Sequence, residues 1–168
     1  AAAEALCAET NIAVEMGPAG QKTLLDGEDV SNLIRTPEVG AAASAVSTVK
    51  AVRRRMVALQ QACAAKADMV VDGRDIGTVV LPNATCKFYL TASPEVRARR
   101  RFLEMQQKGA ACSYEEILKG VIDRDYQDMH READPLRQAA DARVIDSSNL
   151  TLDETVQAML NVIREVLA

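Results

Sequence analysis

The sequence predicts an α/β fold built on a mostly parallel sheet. Three short, continuous apolar runs, at residues 69–71, 86–90 and 142–145, are typical of strands buried in such a sheet. Segments with helix caps and helical periodicity separate these runs, and alternating strands and helices characterise the class. A chain of 168 residues, 48% of them hydrophobic, is long enough to bury one core without disulfides or metals.

A hairpin is predicted near the N-terminus. Residues 12–16 alternate in character, and a second apolar segment covers residues 23–25. The connecting stretch, 17–23, resembles the phosphate-binding loop G-x-x-x-x-G-K-[ST], but it is too short and has Gln21 in place of the last Gly. It also joins two strands, whereas the amide cradle of that loop needs a strand followed by a helix. We therefore interpret it as a turn, and no other stretch fits the motif.

Two helices are predicted after the hairpin. Thr36 and Pro37 form a helix start, because a hydroxyl caps orphan backbone amides and proline is preset for the first helical position. This Ala-rich helix should run to about Val46, and the next should end near Lys66 with an apolar stripe facing the core. The stripe consists of Val49, Val52, Met56, Leu59 and Cys63.

Three further helices are predicted in the second half of the chain. Ser93 begins one that Gly109 ends, and two capping boxes begin the others. The boxes pair Ser113 with Glu116 and Thr151 with Glu154. The last helix is expected to cover the sheet with its stripe of Val156, Leu160, Ile163 and Leu167.

Composition and charge argue against several functions. Aromatic residues make up 3% of the chain and the net charge is -4, a poor match to a nucleic-acid binder. No apolar run approaches the roughly 18 residues of a membrane span. The four cysteines lie far apart and His130 is the one histidine, so we expect reduced thiols in a cytoplasmic protein, without a zinc site. Because the chain starts at Ala1 without Met, we expect a cut or incomplete chain.

The segment 70–75 is the strongest local signal of chemistry. A buried strand that ends at Asp72 would deliver this acid to the carboxyl edge of the sheet, where ligands bind. The acid could orient the hydration shell of a nucleotide-bound Mg²⁺, while Gly73 turns the backbone and Arg74 directs a planar fork at a phosphate. A turn with a structural Arg–Asp pair is the alternative.

Two basic clusters could bind anions. Arg124, Asp128 and Arg131 have the i, i+4 and i+7 spacing of one helix face, which could hold an anion and a hydroxyl, or could be a solvated charged face. His130 is expected at the surface. A second helix carries Arg97, Arg99, Arg100 and Arg101, a density that suits a triphosphate. Nucleic-acid contact and a plain solvated face are its alternatives.

Five segments, in order and in register, resemble the bacterial cytidylate kinase family over essentially the whole chain. They are DGEDVSNLIRTPEVGAAAS, VVDGRDIGTVVLPNATCKFYLTAS, RARRRFLEMQQKG, IDRDYQDMHRE and DPL followed by AADARVIDSS. The resemblance implies a P-loop nucleoside-monophosphate kinase fold, here an incomplete parallel sheet with helices on both faces. It also implies that residues 1–46 are the remainder of the acceptor-binding insert, and that residues 47–168 are the core, with a short lid at about 94–112.

The resemblance also implies roles for individual residues. Ser44, Arg53 and Asp75 match residues that recognise cytosine, and Asp128 matches the acid that holds the sugar hydroxyls. Arg74, Arg124 and Arg131 match arginines around the acceptor phosphate, and Arg97, Arg100 and Arg101 match the lid that closes on ATP. Arg74, Arg100, Arg124, Arg131 and Asp72 are the expected catalytic residues.

The implied reaction is phosphoryl transfer from ATP, with Mg²⁺, to CMP or dCMP, giving CDP or dCDP. No direct metal ligand is expected; Asp72 would act on the hydration shell of the ion. Nothing in the sequence corresponds to the family's Gly-rich loop with its Lys, so the chain alone is expected to be inactive. The alternatives are a non-catalytic pyrimidine-nucleotide-binding fragment and a kinase for another monophosphate. We expect the complete protein to be a monomer, with no nucleic-acid or membrane partner.

Overall fold

A computed structural model of the chain describes residues 2–18 and 20–168 and divides into two compact units, residues 1–70 and 71–168. The first unit contains α1 (Ala2–Glu9), β1 (Ile12–Gly17), β2 (Gly20–Leu25), β3 (Glu28–Asp29), α2 (Pro37–Val46) and α3 (Lys50–Ala64). The second contains a π-helical turn (Ile76–Val80), β4 (Phe88–Thr91), α4 (Pro94–Gln107), α5 (Tyr114–His130), β5 (Arg143–Asp146) and α6 (Leu152–Leu167).

The predicted hairpin is present in the first unit. Strands β1 and β2 pair antiparallel, with Ile12 opposite Leu25 and Gly17 opposite Gly20, and β3 extends them to a three-stranded meander. Ala19 of the connecting turn lies outside the described residues. The stretch that resembles a phosphate-binding loop is therefore a tight connection between antiparallel strands, as predicted.

Both predicted helices of the first unit are confirmed. The Thr36 hydroxyl caps α2 by accepting a hydrogen bond from the Val39 amide at 3.3 Å. Val52 is buried on α3, and the other members of the predicted stripe are partly buried. Arg55 on α3 donates to the carbonyl oxygens of Cys7 and Thr10 and so ties α3 to the end of α1, a helix that the sequence did not predict.

The second unit is built on the parallel pair that the sequence predicts. β4 and β5 run parallel, with Phe88 opposite Arg143 and Thr91 opposite Asp146. Helices α4 and α5 contact each other, and the ring of Phe102 meets that of Tyr114 edge-on at 6.2 Å. The buried apolar residues of this unit are Val80, Ala92 and Ala98.

Helix ends of the second unit follow the predicted caps closely. The Ser93 hydroxyl accepts from the Val96 amide at 3.3 Å, and Gly109, with φ of 72°, follows α4 in the left-handed region. Thr151 and Glu154 form a complete capping box. Ser113 caps α5 through the Glu116 amide, but its hydroxyl donates to the carboxylate of Glu115.

The predicted strand at residues 69–71 is wrong. These residues are not in a strand, and Val70 is 97% exposed. An apolar run favours extended backbone, but a strand also needs a partner for its amides and carbonyls. Among the residues that the structure describes, no strand pairs with this segment.

The expected burial of the α6 stripe is also wrong. The helix has its predicted place and contacts β5, yet Val156, Leu160 and Leu167 are exposed. A two-stranded sheet presents too little surface to cover a stripe along a helix of 16 residues. Within residues 2–18 and 20–168, no helix is both long enough and apolar enough to cross a bilayer.

Candidate functional site

A widened turn positions two of the predicted site residues, Arg74 and Asp75. The amide of Leu81 donates to the Ile76 carbonyl at 2.7 Å, and that of Val80 donates to the Asp75 carbonyl at 3.3 Å. This i to i+5 spacing defines a π turn, a feature often found at functional sites. Asp75 is therefore the first residue of this hydrogen-bonded turn, and Arg74 comes directly before it.

Asp128 on α5 is the centre of a charged cluster. Its side chain is 11% exposed, and Arg74 Nε donates to its Oδ2 at 3.2 Å. Arg124 Nε lies 3.9 Å from the same oxygen, and Arg131 Nη1 lies 3.8 Å from Oδ1. The acid thus faces three guanidinium groups, from both the π turn and α5.

Arg131 lies one residue beyond the helix in which it was predicted. It is the C-terminal cap of α5, with extended backbone, and its amide still donates to the Gln127 carbonyl at 3.0 Å. Its side chain is the most buried of the cluster, at 8% exposed, and Nη2 lies 3.6 Å from Asp75 Oδ2. The side chain therefore bridges the two carboxylates of the cluster, Asp75 and Asp128.

The charge of this cluster favours an additional anion. Three guanidinium groups face two carboxylates, which leaves one net positive charge. The side chains of Arg74 and Arg124 are 48% and 51% exposed, so about half of each side chain is open to solvent. Each guanidinium carries five N–H donors in a planar fork that matches phosphate oxygens. We name these five residues, Arg74, Asp75, Arg124, Asp128 and Arg131, the arginine cluster.

Asp72 differs from its predicted setting. It is exposed and follows the unpaired segment 69–71, so no buried strand delivers it to a sheet edge. Among the described residues, no group of three or more His, Cys, Asp or Glu side chains is arranged to hold a metal ion.

The predicted lid arginines on α4 differ from one another. Arg97 forms a two-pronged ion pair with Asp125 of α5, which raises the pKa of Arg97, and its Nε donates to the Ala92 carbonyl at 2.9 Å. Arg100 donates to the carbonyl oxygens of Ser147 at 2.6 Å and Leu150 at 3.1 Å. Arg101 is exposed. Arg97 and Arg100 therefore both bind other parts of the second unit. Arg97 contacts α5 and the residue after β4, and Arg100 contacts the segment after β5.

Ser44 and Arg53 lie in the first unit and are linked through Ser47. An Arg53 terminal nitrogen donates to the Ser47 carbonyl at 3.5 Å, and the Ser47 hydroxyl donates to the Ser44 carbonyl at 2.7 Å. Arg53 is buried and Ser44 is partly buried. These contacts hold the end of α2 and the start of α3 in a fixed relation.

Two residues that contact the predicted site were not identified from the sequence. Asp125 pairs with Arg97, and the Asp134 carbonyl accepts from Arg131 Nε at 2.7 Å. Arg97 and Asp125 are 28 residues apart in the sequence, so no local pattern predicts that they meet. The contact with Asp134 is made by its backbone carbonyl, so the type of its side chain does not predict it. The sequence indicates only a turn here, because Asp134 precedes Pro135.

Known proteins match nearly the whole chain. A model of the cytidylate kinase family matches residues 1–165. The cytidylate kinase of Caldicellulosiruptor saccharolyticus is 48% identical over 158 residues, which cover 94% of this chain and 70% of that protein. The cytidylate kinase of Carboxydothermus hydrogenoformans is 46% identical over 158 residues, 94% of this chain and 71% of the relative. That of Enterococcus faecalis is 47% identical over 161 residues, 96% and 71% respectively.

Proposed function

The chain belongs to the cytidylate kinase family, and we propose that its protein transfers a phosphoryl group from ATP to CMP or dCMP, giving CDP or dCDP. The single structural observation that carries the proposal is the arginine cluster. Its net positive charge, two partly exposed arginine side chains and largely buried carboxylates suit a ligand that combines a phosphate with hydroxyl groups.

The acceptor phosphate is assigned to Arg74, Arg124 and Arg131. Arg74 and Arg124 have half-exposed side chains, and the guanidinium of Arg131 lies between the carboxylates of Asp75 and Asp128. Arginine suits this role because it stays charged at every working pH and can bind two phosphate oxygens at once. Together the three groups would neutralise and orient an incoming phosphate dianion.

No general base is needed for this transfer. The second pKa of a phosphate monoester is about 6, so the attacking oxygen is already largely ionised at neutral pH. The barrier instead comes from bringing two polyanions together in line. Fixed guanidinium groups lower it, because they stabilise charge on the transferring phosphoryl group without reorganising. The cluster, rather than a proton acceptor, is therefore the proposed source of catalysis.

The remaining acceptor-side residues of each unit are assigned to the nucleoside. Asp128 is assigned to the sugar hydroxyls, and Asp75, Ser44 and Arg53 to the base. Cytosine has a donating amine beside an accepting ring nitrogen and carbonyl, so acids, hydroxyls and guanidinium groups complement it. UMP would leave such groups unpaired, and unpaired buried polar groups cost affinity.

Mg²⁺ is proposed to arrive with ATP. Mg²⁺ prefers one or two carboxylates with phosphate oxygens and water over a cage of protein ligands. The exposed carboxylate of Asp72 fits this mode through the hydration shell, and the described residues offer no protein cage. When bound, the ion would neutralise charge on the donor phosphates.

The remaining predictions are part of the proposal. Arg97, Arg100 and Arg101 are assigned to a lid at about 94–112 that contacts ATP. Residues 1–46 are assigned to the acceptor-binding insert, and residues 47–168 to the core. We also propose a monomeric cytoplasmic enzyme.

Nucleotide binding without transfer is a second candidate function for the 168 residues. It is favoured because acceptor-side residues have counterparts here, whereas no stretch fits the motif that holds donor phosphates. Calorimetry with CMP and ATP in separate titrations discriminates between the candidates. A binding module predicts heat with CMP and none with ATP.

A coupled kinase assay on the complete reading frame tests the main proposal. CMP, dCMP, UMP and AMP are compared as acceptors at equal concentration. We expect CMP and dCMP to be used far better than AMP. Equal use of AMP contradicts the assignment, because nothing in a cytosine site should accept a purine equally well.

A further inference from the structure

The loop that follows α5, residues 131–136, folds back onto the end of that helix. The Leu136 amide donates to the Asp128 carbonyl at 2.8 Å. The carbonyl of the preceding residue, Gln127, accepts from the Arg131 amide at 3.0 Å. Both bonds satisfy carbonyls that the end of a helix leaves without partners. The loop is thus anchored on the turn of α5 that carries Asp128.

Asp134, within this loop, has an unusual backbone conformation. Its φ is 48°, in the left-handed region that few residues other than Gly adopt, although Asp tolerates it better than most. The next residue is Pro135, and a residue before proline normally takes an extended conformation. The conformation is therefore locally unfavourable, and it persists only because surrounding contacts hold it.

The left-handed conformation gives the Asp134 carbonyl a specific task. It accepts from Arg131 Nε at 2.7 Å, a shorter distance than those from the same guanidinium to Asp75 and Asp128. A guanidinium is planar, so a fixed Nε sets the directions of both terminal nitrogens. These nitrogens lie 3.8 Å from Asp128 and 3.6 Å from Asp75. The carbonyl therefore helps to set the direction from which Arg131 enters the cluster, together with the two carboxylates.

We propose that Asp134 is a positioning residue that works through its backbone. Its left-handed conformation directs its carbonyl at Arg131 Nε and so orients this guanidinium toward the anion site. The inference rests on the proposed function in one respect: the anion used to measure it is the phosphate of CMP. The conformation, rather than the carboxylate of Asp134, is what the site requires.

Three substitutions separate the conformation from the side chain. Asp134→Gly and Asp134→Asn keep the left-handed region accessible, whereas the β-branched Asp134→Val opposes it. We expect the dissociation constant of CMP, measured by calorimetry on the full chain, to rise about tenfold in the Val variant, since the left-handed region costs most side chains on the order of a tenfold factor. It should stay within about twofold of the parent in the Gly and Asn variants. A Gly variant as weak as the Val variant would overturn the proposal, because the carboxylate would then be responsible.

A second background tests whether Asp134 acts through Arg131. Arg131→Lys removes the Nε donor but keeps the charge. In that background Asp134→Val and Asp134→Gly should bind CMP equally, because the contact that distinguishes them is gone. A tenfold difference that persists in the Lys background overturns the proposal. Where Asp134→Val fails to fold by circular dichroism, Asp134→Ala takes its place, with the same direction of change expected.

The Arg131 Nε–H resonance provides a readout that needs no nucleotide. In ¹⁵N-correlated NMR spectra its proton should move on Asp134→Val and keep its position on Asp134→Gly. An unchanged resonance in the Val variant sinks the inference, whatever CMP does. If the Val variant shows the expected resonance shift but the parent protein binds no CMP, the result contradicts the proposed function and leaves this inference intact. The two failures are therefore distinguishable.

Discussion

Both terminal nitrogens of Arg97 on α4 meet both carboxylate oxygens of Asp125 on α5, at 2.9 and 2.5 Å. The pair binds the helix with the predicted lid arginines to the helix with Arg124 and Asp128. Neither side chain is more than about a third exposed, so water competes only in part for their charges. The ion pair therefore directly links α4, which carries the proposed ATP-binding arginines, to α5, which carries proposed CMP-binding residues.

Removal of this ion pair should destabilise the second unit. We expect Arg97→Ala to lower the free energy of unfolding in urea by about 1–2 kcal/mol, because Asp125 would keep a partly buried carboxylate without its partner. Arg99→Ala, an exposed change on the same helix, is the matched control and should stay within about 0.5 kcal/mol of the parent.

A double-mutant cycle decides whether the pair or each residue alone is responsible. Arg97→Ala combined with Asp125→Ala should cost less than the sum of the single changes, because removing both partners leaves no orphan charge. Additive losses would contradict the coupling between α4 and α5 that the distances indicate.

The capping box of α6 should make the free energy of unfolding depend on pH in the acidic range. Hydrogen bonds from the Thr151 amide and hydroxyl lower the pKa of Glu154 below its ordinary value of 4.5. A pKa that is lower in the folded state contributes stability above about pH 4.5, and this contribution is lost as the pH falls through the folded value. The parent chain should therefore lose this part of its stability in mild acid.

Thr151→Ala tests the acid dependence, with Thr151→Ser as its control. The Ala variant lacks the hydroxyl, so the difference from the parent in thermal melting temperature should be largest at neutral pH and should shrink below about pH 4.5. The Ser variant should melt like the parent at every pH. A constant difference across the pH range would show that the carboxylate is not involved.

Two valines that are ten positions apart test the corrected assignment of residues 69–71. Val80 is 2% exposed and Val70 is 97% exposed. In the 168-residue chain, Val80→Ala should cost about 2 kcal/mol of unfolding free energy through lost burial and a cavity. Val70→Ala should change it by less than about 0.5 kcal/mol. A comparable loss at Val70 would mean that this segment is a buried strand after all.

Local signals in the sequence predict where helices begin. Strand pairing and burial depend on contacts with distant segments, so these signals alone do not predict them. Thr36, Ser93 and Thr151 are caps whose partners lie three residues away, so the helix starts could be identified without the fold. Residues 69–71 carry the apolar signal of a strand, but pairing depends on another segment, which no local pattern contains. The α6 stripe fails for the same reason, since its burial depends on what faces it.

The site shows the same division. The spacing of Arg124 and Asp128 on one helix face predicted their meeting, because four residues separate neighbours on a helix. That Arg74 and Asp75 join them from about fifty positions earlier in the chain came from the family resemblance, since spacing alone cannot bring the two segments together. The role of the Asp134 carbonyl could not be predicted, because it depends on a backbone angle that the sequence leaves open.

The most direct test of the arginine cluster is a calorimetric titration with CMP and with cytidine, which lacks the phosphate. Arg124→Ala removes a half-exposed guanidinium, so it should weaken CMP binding by about tenfold or more, as expected for the loss of a charged hydrogen bond, and leave cytidine binding unchanged. An equal loss for both ligands, or no loss of CMP affinity, would contradict the account that these arginines hold the phosphate.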